Sequence, residues 1–265
     1  MEYLFFNGSP RIFAHRGDSL NFPENTMPAF KNAAVLGVDC IETDVHITRD
    51  GRCILWHDDT IELTPGKKER ISLKDWAELK TFDAGAAFTK DNGKTHPFKG
   101  KGISLILLEE LLESLPGTRF NIDLKDRSEK LVKEFVRIIK DHKAADRILG
   151  GSFHHKNLVK LRKLLPELPT SFSEQEALRV VVLQKLGLLR FTGKLPGQAF
   201  QVPEKNGNIT IVTKKMIQEL HRRGIPIHVW TVNKEEDMRR LFKMGVDGIF
   251  TDNPRLLIKT IKEME

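Results

Sequence analysis

Short apolar runs alternate with longer stretches of helical periodicity along almost the whole chain. Runs near 11–17, 39–48, 119–125, 147–153, 168–173, 199–205, 226–233 and 246–252 have the length of strands. Amphipathic spacing fills the intervals near 26–37, 128–145, 155–166, 174–189, 212–224 and 235–245, and a last helix begins at 254. Alternation of this kind predicts parallel strands joined by helical crossovers. Eight such units in 265 residues predict an α/β fold, a (β/α)8 TIM barrel, as a single domain spanning 1–265.

Three stretches break the rhythm. The run Cys53-Ile54-Leu55-Trp56-His57 folds back on the second strand through Asp50-Gly51, a two-residue turn signal. In that register Asp44 faces His57, and directly opposed residues share a face of the sheet. Residues 59–102 carry no long periodic pattern, and their Lys- and Gly-rich composition, with turn signals at Thr64-Pro65-Gly66 and Asp91-Asn92-Gly93, predicts an insertion after the second strand. The stretch 179–191 is too apolar for an ordinary surface helix and shorter than the ~20 residues that cross a bilayer. With Lys185 and Arg190 beside its apolar positions, it predicts a helix that lies in a membrane interface or lines an acyl channel.

Carboxylates rarely sit inside apolar strands unless they are paired or bound to a cation. Glu42 and Asp44 lie two apart in Cys40-Ile41-Glu42-Thr43-Asp44-Val45, as do Asp123 and Lys125 in Phe120-Asn121-Ile122-Asp123-Leu124-Lys125. Residues at i and i+2 of a strand point the same way. His15, Glu42, Asp44, Asp123 and Lys125 fall at or near C-terminal strand ends, where barrel active sites lie, and Trp230 falls late in its strand. Three carboxylates offer one divalent cation an all-oxygen ligand set, which favours Mg²⁺ or Ca²⁺ over zinc. Arg16 and Lys125 add positive charge beside this set, and two imidazoles near neutrality can exchange a proton.

Composition narrows the partners. Hydrophobic residues make up 40% and charged residues 30% of the chain, enough for a sizeable core. The net charge of +7 is dispersed among Glu and Asp, with one Tyr and no nucleic-acid motif, which excludes a nucleic-acid partner and leaves a modest pull on anionic substrates or lipid. The first motif starts at Arg11, which leaves no room for a secretory leader and predicts a cytoplasmic location, with peripheral membrane contact through 179–191. Cys53, facing Thr48 in the hairpin, lies too far along the strand from Cys40 for a disulfide, so both read as core thiols.

Phe13-Ala14-His15-Arg16-Gly17, Pro23-Glu24-Asn25-Thr26, Ile41-Glu42-Thr43-Asp44-Val45, Thr48-Arg49-Asp50-Gly51 and His57-Asp58 resemble the glycerophosphodiester phosphodiesterase family in order and spacing. Gly245-Val246-Asp247-Gly248-Ile249-Phe250-Thr251-Asp252 resembles its C-terminal signature. The resemblance covers nearly the whole chain and implies a barrel with an insertion after the second strand. It implies cleavage of a glycerophosphodiester to sn-glycerol 3-phosphate and an alcohol. His15 and His57 match the family's catalytic histidines, Arg16 its phosphate-binding arginine, and Glu42 and Asp44 its metal ligands. Asp123 matches a third ligand that is commonly Glu, and Lys125 the lysine two residues on. This Asp form, the 179–191 stretch, Phe191-Thr192-Gly193 and Gln201-Val202-Pro203 are similar to a branch with lysophospholipase D-type enzymes, which release lysophosphatidic acid. A silent barrel that binds phosphorylated ligands is the non-enzymatic alternative, and intact His15, His57, Arg16 and Lys125 argue against it.

Other polar residues have plainer readings. Glu24 and Asn25 precede a helix and read as local caps, as does Asp252 before Asn253-Pro254. Arg16 could pair with Glu42, His46 reads as a bystander near the rim, His154 and His155 as surface residues, and Glu109 and Glu110 as solvated. Trp230 suits either core packing or a wall of a glycerol pocket.

Overall fold

The computed structural model describes residues 3–64 and 66–265, so Pro65 of the Thr64-Pro65-Gly66 turn lies outside the described residues. Seven parallel strands, Ile12–Ala14, Cys40–Ile47, Phe120–Leu124, Ile148–Gly151, Phe200–Val202, Ile227–Val229 and Gly248–Thr251, form one curved sheet in which the first and last are neighbours. Residues 170–171 close the ring through parallel bridges from Thr170 to Gly150 and from Ser171 to Ala199. The predicted strand at 168–173 is therefore reduced to single bridges. Pro169 lacks an N–H, and Ser173 already caps the helix Glu174–Lys185, which leaves only the short run Thr170 to Phe172 between them. The expected barrel is present.

Helices follow each strand. All eight residues of Cys40–Ile47 are buried, as expected of a barrel strand covered on both faces. Ile41, Val45 and Ile47 pack outward against Phe30, Leu111 and Phe135. Inside the barrel, Phe5, Phe13, Cys40, Leu149 and Phe250 form an apolar plug, with Phe13 stacked on Phe250 at 4.6 Å. Side chains two residues further along the second strand are carboxylates, so the interior turns polar toward the C-terminal strand ends.

The hairpin differs from its predicted register. Val45 faces Leu55, His46 faces Ile54 and Ile47 faces Cys53. The turn has three residues, Arg49, Asp50 and Gly51, because only Gly51 is left-handed (φ 92°), whereas a two-residue type I′ turn needs both central residues there. The Thr48 hydroxyl donates to Asp50 (2.5 Å) and accepts from the Arg52 N–H (2.8 Å), fixing the wider loop. The position facing Asp44 is consequently that of Trp56, whose N–H donates to the Asp44 carbonyl at 3.1 Å. His57 lies past the strand's end. Cys40 and Cys53 are unpaired and buried, and burial pushes both thiols up.

The insertion holds an antiparallel pair, Thr60–Thr64 with Lys67–Arg70, and a short helix Trp76–Leu79. Ile61, Ile71, Leu79 and Leu105 give it a small apolar cluster beside the hairpin's Ile54. Glu109 is not simply solvated: it pairs with Arg52 at 2.7 Å. Glu110 caps the Leu107 N–H at 2.8 Å.

Midway along the interior, buried His228 is hydrogen-bonded to Gln201 (3.2 Å), which donates to Asn121 (2.9 Å). Burial pushes the His228 imidazole down from 6.5 to about 3. The folded state therefore stays unprotonated where the unfolded chain binds a proton. The stability this residue supports is complete above 6.5 and is lost as pH falls toward about 3. Urea unfolding across that window should show a fall with decreasing pH that is shallower in His228→Phe. An equal slope in the variant would show that the ring is not kept neutral.

Candidate active site

Parallel pairing sets Asp44 beside Asp123 and Glu42 beside Asn121, so register alone gathers the carboxylates on one inward face. Lys125 follows directly after Phe120–Leu124, and its Nζ lies 2.9 Å from Asp44 Oδ1 and 3.1 Å from Asp123 Oδ2. His154 holds this lysine's backbone, with Nε2 2.8 Å from the Lys125 carbonyl. That contact replaces the surface role expected of His154. His155, also expected at the surface, contacts Ser173 and Glu176, each at 3.3 Å.

The loop after the first strand reaches the same patch through unusual backbone. Arg16 is left-handed (φ 56°), as is Gly17 (φ 85°), where an added Cβ would lie 2.7 Å from the Ala29 carbonyl carbon. That shape turns the Arg16 N–H onto Glu42 Oε2 (3.0 Å) and sends its guanidinium elsewhere. Nη1 bonds both oxygens of Glu24 at 2.9 Å, and Nε stands 3.3 Å from Asp44 Oδ2 without a hydrogen bond. Arg16 thus pairs through its side chain with Glu24 and Asp44, and meets Glu42 only through its backbone. Buried Asn25 donates to Asp44 Oδ2 at 3.0 Å and accepts from Thr43 at 2.7 Å. Glu24 and Asn25 hold the site, and Thr26 occupies the helix cap position instead.

His15 Nδ1 lies 2.7 Å from Asp252 Oδ1, and its Nε2 lies 4.0 Å from Glu42. Ser19 and Asn233 also donate to Asp252, at 3.1 and 2.6 Å. The helix cap itself is Asn253, which accepts from the Leu256 N–H, so Asp252 is a positioning carboxylate rather than a cap. Reading Asp252 correctly needs the closure of the barrel, which places the last strand against the first.

The charges are unevenly balanced. Burial, then Asp44, pushes the Glu42 carboxyl up to about 8, and His15, Arg16 and Lys125 only partly offset this. Burial acts on Asp44 in the same direction, but Lys125, Arg16 and Asn25 outweigh it and hold Asp44 below its ordinary value. Burial raises Asp123 against the pull of Lys125. Burial works against the Lys125 and His15 cations, yet Asp123 and Asp44 raise the lysine, and Asp252 and Glu42 raise the imidazole.

The structure therefore brings together His15, Arg16, Glu42, Asp44, Asp123 and Lys125. His57 follows the hairpin strand, its side chain partly exposed and its Nδ1 2.8 Å from Asp58. His46 is buried rather than at the rim: its ring contacts Asp126 at 2.8 Å and the His57 carbonyl at 3.2 Å, tying the rim loop down. Trp230 packs partly on the barrel plug and meets Phe153 edge-on at 5.9 Å. Phe153, which sequence patterning did not single out, lies 5.8 Å from Lys125 Nζ.

Comparison with known proteins gives a consistent result. The description "Glycerophosphoryl diester phosphodiesterase family" is matched by residues 15–256. A glycerophosphodiester phosphodiesterase of Bacillus altitudinis is 33% identical over 261 residues, covering 96% of this chain and 99% of that protein. Lysophospholipase D GDPD1 of Homo sapiens is 27% identical over 267 residues, covering 92% of this chain and 83% of that one. A phosphodiesterase of Oleispira antarctica, solved in complex with the product sn-glycerol-3-phosphate, shares the fold with a TM-score of 0.77 at 24% identity, covering 97% of this chain and 98% of that one.

The contact from Asp252 supports the charged form of His15, so weakening that acceptor should lower the pH at which the ring titrates. In Asp252→Asn, the NMR titration midpoint of His15 is expected to fall while the melting temperature changes little. A midpoint equal to wild type would mean that Asp252 does not hold the imidazole in solution.

Proposed function

We infer the function from one fact: the chain belongs to the glycerophosphoryl diester phosphodiesterase family of phosphoric diester hydrolases. Its proposed substrate is a glycerophosphodiester, cleaved to sn-glycerol 3-phosphate and an alcohol. The observation that carries this reading is the meeting of two cations, Arg16 and Lys125, with buried carboxylates and an imidazole already tied to Asp252. The buried Arg16 Nε has no hydrogen-bond partner among the described residues, and a phosphoryl oxygen is the acceptor it lacks. Two buried, unpaired thiols suit a reducing compartment, and the proposed location is cytoplasmic.

Glu42, Asp44 and Asp123 are the proposed holders of one divalent cation. Among the described residues no three such groups stand close enough to hold an ion as they are placed, and the Lys125 ammonium lies between Asp44 and Asp123. The donor chemistry nevertheless fits. All three are carboxylates, and burial, with Asp44 beside it, raises the Glu42 carboxyl against the pull of His15, Arg16 and Lys125, a cost that a bound cation would offset. Hard-oxygen ligation points to Mg²⁺ or Ca²⁺, which when bound would neutralise charge on the phosphoryl oxygens.

The residues of the chain divide the remaining work. Arg16 and Lys125 hold the phosphoryl oxygens. As an oxygen attacks phosphorus and the bond to the alcohol breaks, one of His15 and His57 takes the proton of the attacking oxygen. The other gives a proton to the departing alcohol. Each such transfer contributes ~10²–10⁴ in rate. Asp252 keeps the His15 ring oriented and favours its protonated form. Phe153 and Trp230 wall the approach beside Lys125. A second reading, lysophospholipase D activity releasing lysophosphatidic acid, is supported by Asp123 in the third ligand position and by the exposed apolar residues of 179–191.

Assays with glycerophosphocholine and lysophosphatidylcholine, each with Mg²⁺ and Ca²⁺, test both readings. EDTA should abolish turnover and one of the two ions restore it. Glu42→Ala should lose metal binding without unfolding. His15→Ala and His57→Ala should each lower turnover by ~10²-fold or more at an unchanged melting temperature. Full activity in the stripped, folded protein would remove the metal from the proposal, and wild-type turnover in His57→Ala would remove that residue.

A further inference from the structure

The 179–191 stretch divides into two faces. Val180, Val181 and Leu189 are buried in the core. Leu178, Val182 and Leu186, spaced four apart, form an exposed line along Glu174–Lys185, and Leu188 and Phe191 extend it. These five side chains are 46–71% exposed, so the helix is apolar on its outer face as well as its inner one. A soluble crossover helix normally turns charged residues outward.

The charge around this face is mainly positive, the exception being exposed Glu174, one turn before Leu178. From Ala177 to Pro203 the chain carries Arg179, Lys185, Arg190 and Lys194 and no Asp or Glu. All four are exposed, and none is ion-paired among the described residues. The Arg190 guanidinium lies 4.5 Å from the Phe191 ring centre, an apolar body beneath a charged tip.

We propose that Leu178, Val182, Leu186, Leu188 and Phe191, with the four cations around them, dock this protein onto the surface of an anionic lipid bilayer. A second copy of the chain fits the same face poorly. An isologous contact would set like cations against one another, and five part-exposed side chains supply on the order of a few hundred Å² of apolar surface, against the ~800 Å² per partner of a stable interface. A bilayer accepts the apolar residues into its interface and the cations at its phosphates. The inference rests on this face alone and is independent of the reaction assigned above.

Co-sedimentation with vesicles tests it, using phosphatidylcholine alone and phosphatidylcholine mixed with an equal amount of phosphatidylglycerol. The wild-type protein should bind the anionic vesicles and be released by salt. The variant Leu186→Ser/Leu188→Ser/Phe191→Ser should lower the bound-to-free ratio ~10-fold or more, given the apolar area each side chain withdraws from water. Lys185→Glu and Arg190→Glu should each lower binding to the anionic vesicles about fivefold or more, from the ~1 kcal/mol that a cation gains at such a surface. Melting temperatures and glycerophosphocholine turnover should stay as in wild type. Absence of wild-type binding to anionic vesicles would overturn the proposal. So would equal binding by the apolar variant, or a wild-type dimer that the same variant makes monomeric. If glycerophosphocholine is not cleaved by any form, the reaction assignment falls while the vesicle result still decides this surface.

Discussion

Glu42, Asp44 and Asp123 lie buried in one patch of the barrel interior, and ionised carboxylates taken out of water destabilise a fold unless cations and hydrogen bonds compensate them. Much of the local structure at this end of the barrel follows from that constraint. Lys125 divides its ammonium between Asp44 and Asp123. Arg16 and Asn25 both adopt left-handed backbone, an uncommon state for residues other than glycine, and both turn polar groups onto the same carboxylates. Strain of this kind persists where surrounding contacts fix it and gathers at functional sites. The loop after the first strand is shaped by the charges it meets.

The opposite end of the barrel has the complementary task. Phe5, brought in by the turn Leu4–Phe6, joins Phe13, Leu149 and Phe250 to close the interior with apolar surface. Asn121, paired with Glu42, joins Gln201 and His228 in a hydrogen-bonded row that reaches the plug at Phe13. Polarity thus rises along the barrel axis. The carboxylates sit buried in a low-dielectric surround, which strengthens every charge interaction they make. Under the proposed reaction, a site built this way would act on phosphate through fixed charges, with little reorganisation.

Much of the site was legible because the rules that expose it are local. Alternation along one strand assigns Glu42 and Asp44 to one face, and the same rule assigns Asp123 with its neighbours. The positions that misled are those where one residue type serves two structural ends. An Asp, Asn or Glu ahead of a helix can cap it or reach across to another strand, and the local pattern is the same. Asn253 caps the last helix, which frees Asp252 for His15. Thr26 takes the cap position at the first helix, while Asn25 and Glu24 turn to Asp44 and Arg16. Only the pairing of the last strand with the first brings Asp252 to His15, and that pairing is a property of the closed ring.

The hairpin shows how small a difference in turn chemistry can carry an inference off. A two-residue Asp50-Gly51 turn would have set His57 against Asp44. The observed three-residue loop keeps only Gly51 left-handed and moves the register by one position, which in a strand exchanges the two faces. Trp56 takes the place facing Asp44, and His57 falls beyond the strand, beside Asp58. Cross-strand pairing therefore does not assign His57 to the site. Its assignment rests on family membership and on its place in the rim loop, where His46 grips its carbonyl. The two histidines consequently differ in setting. His15 is locked by a carboxylate inside the barrel, and His57 is held by its backbone on a loop with its ring half in water.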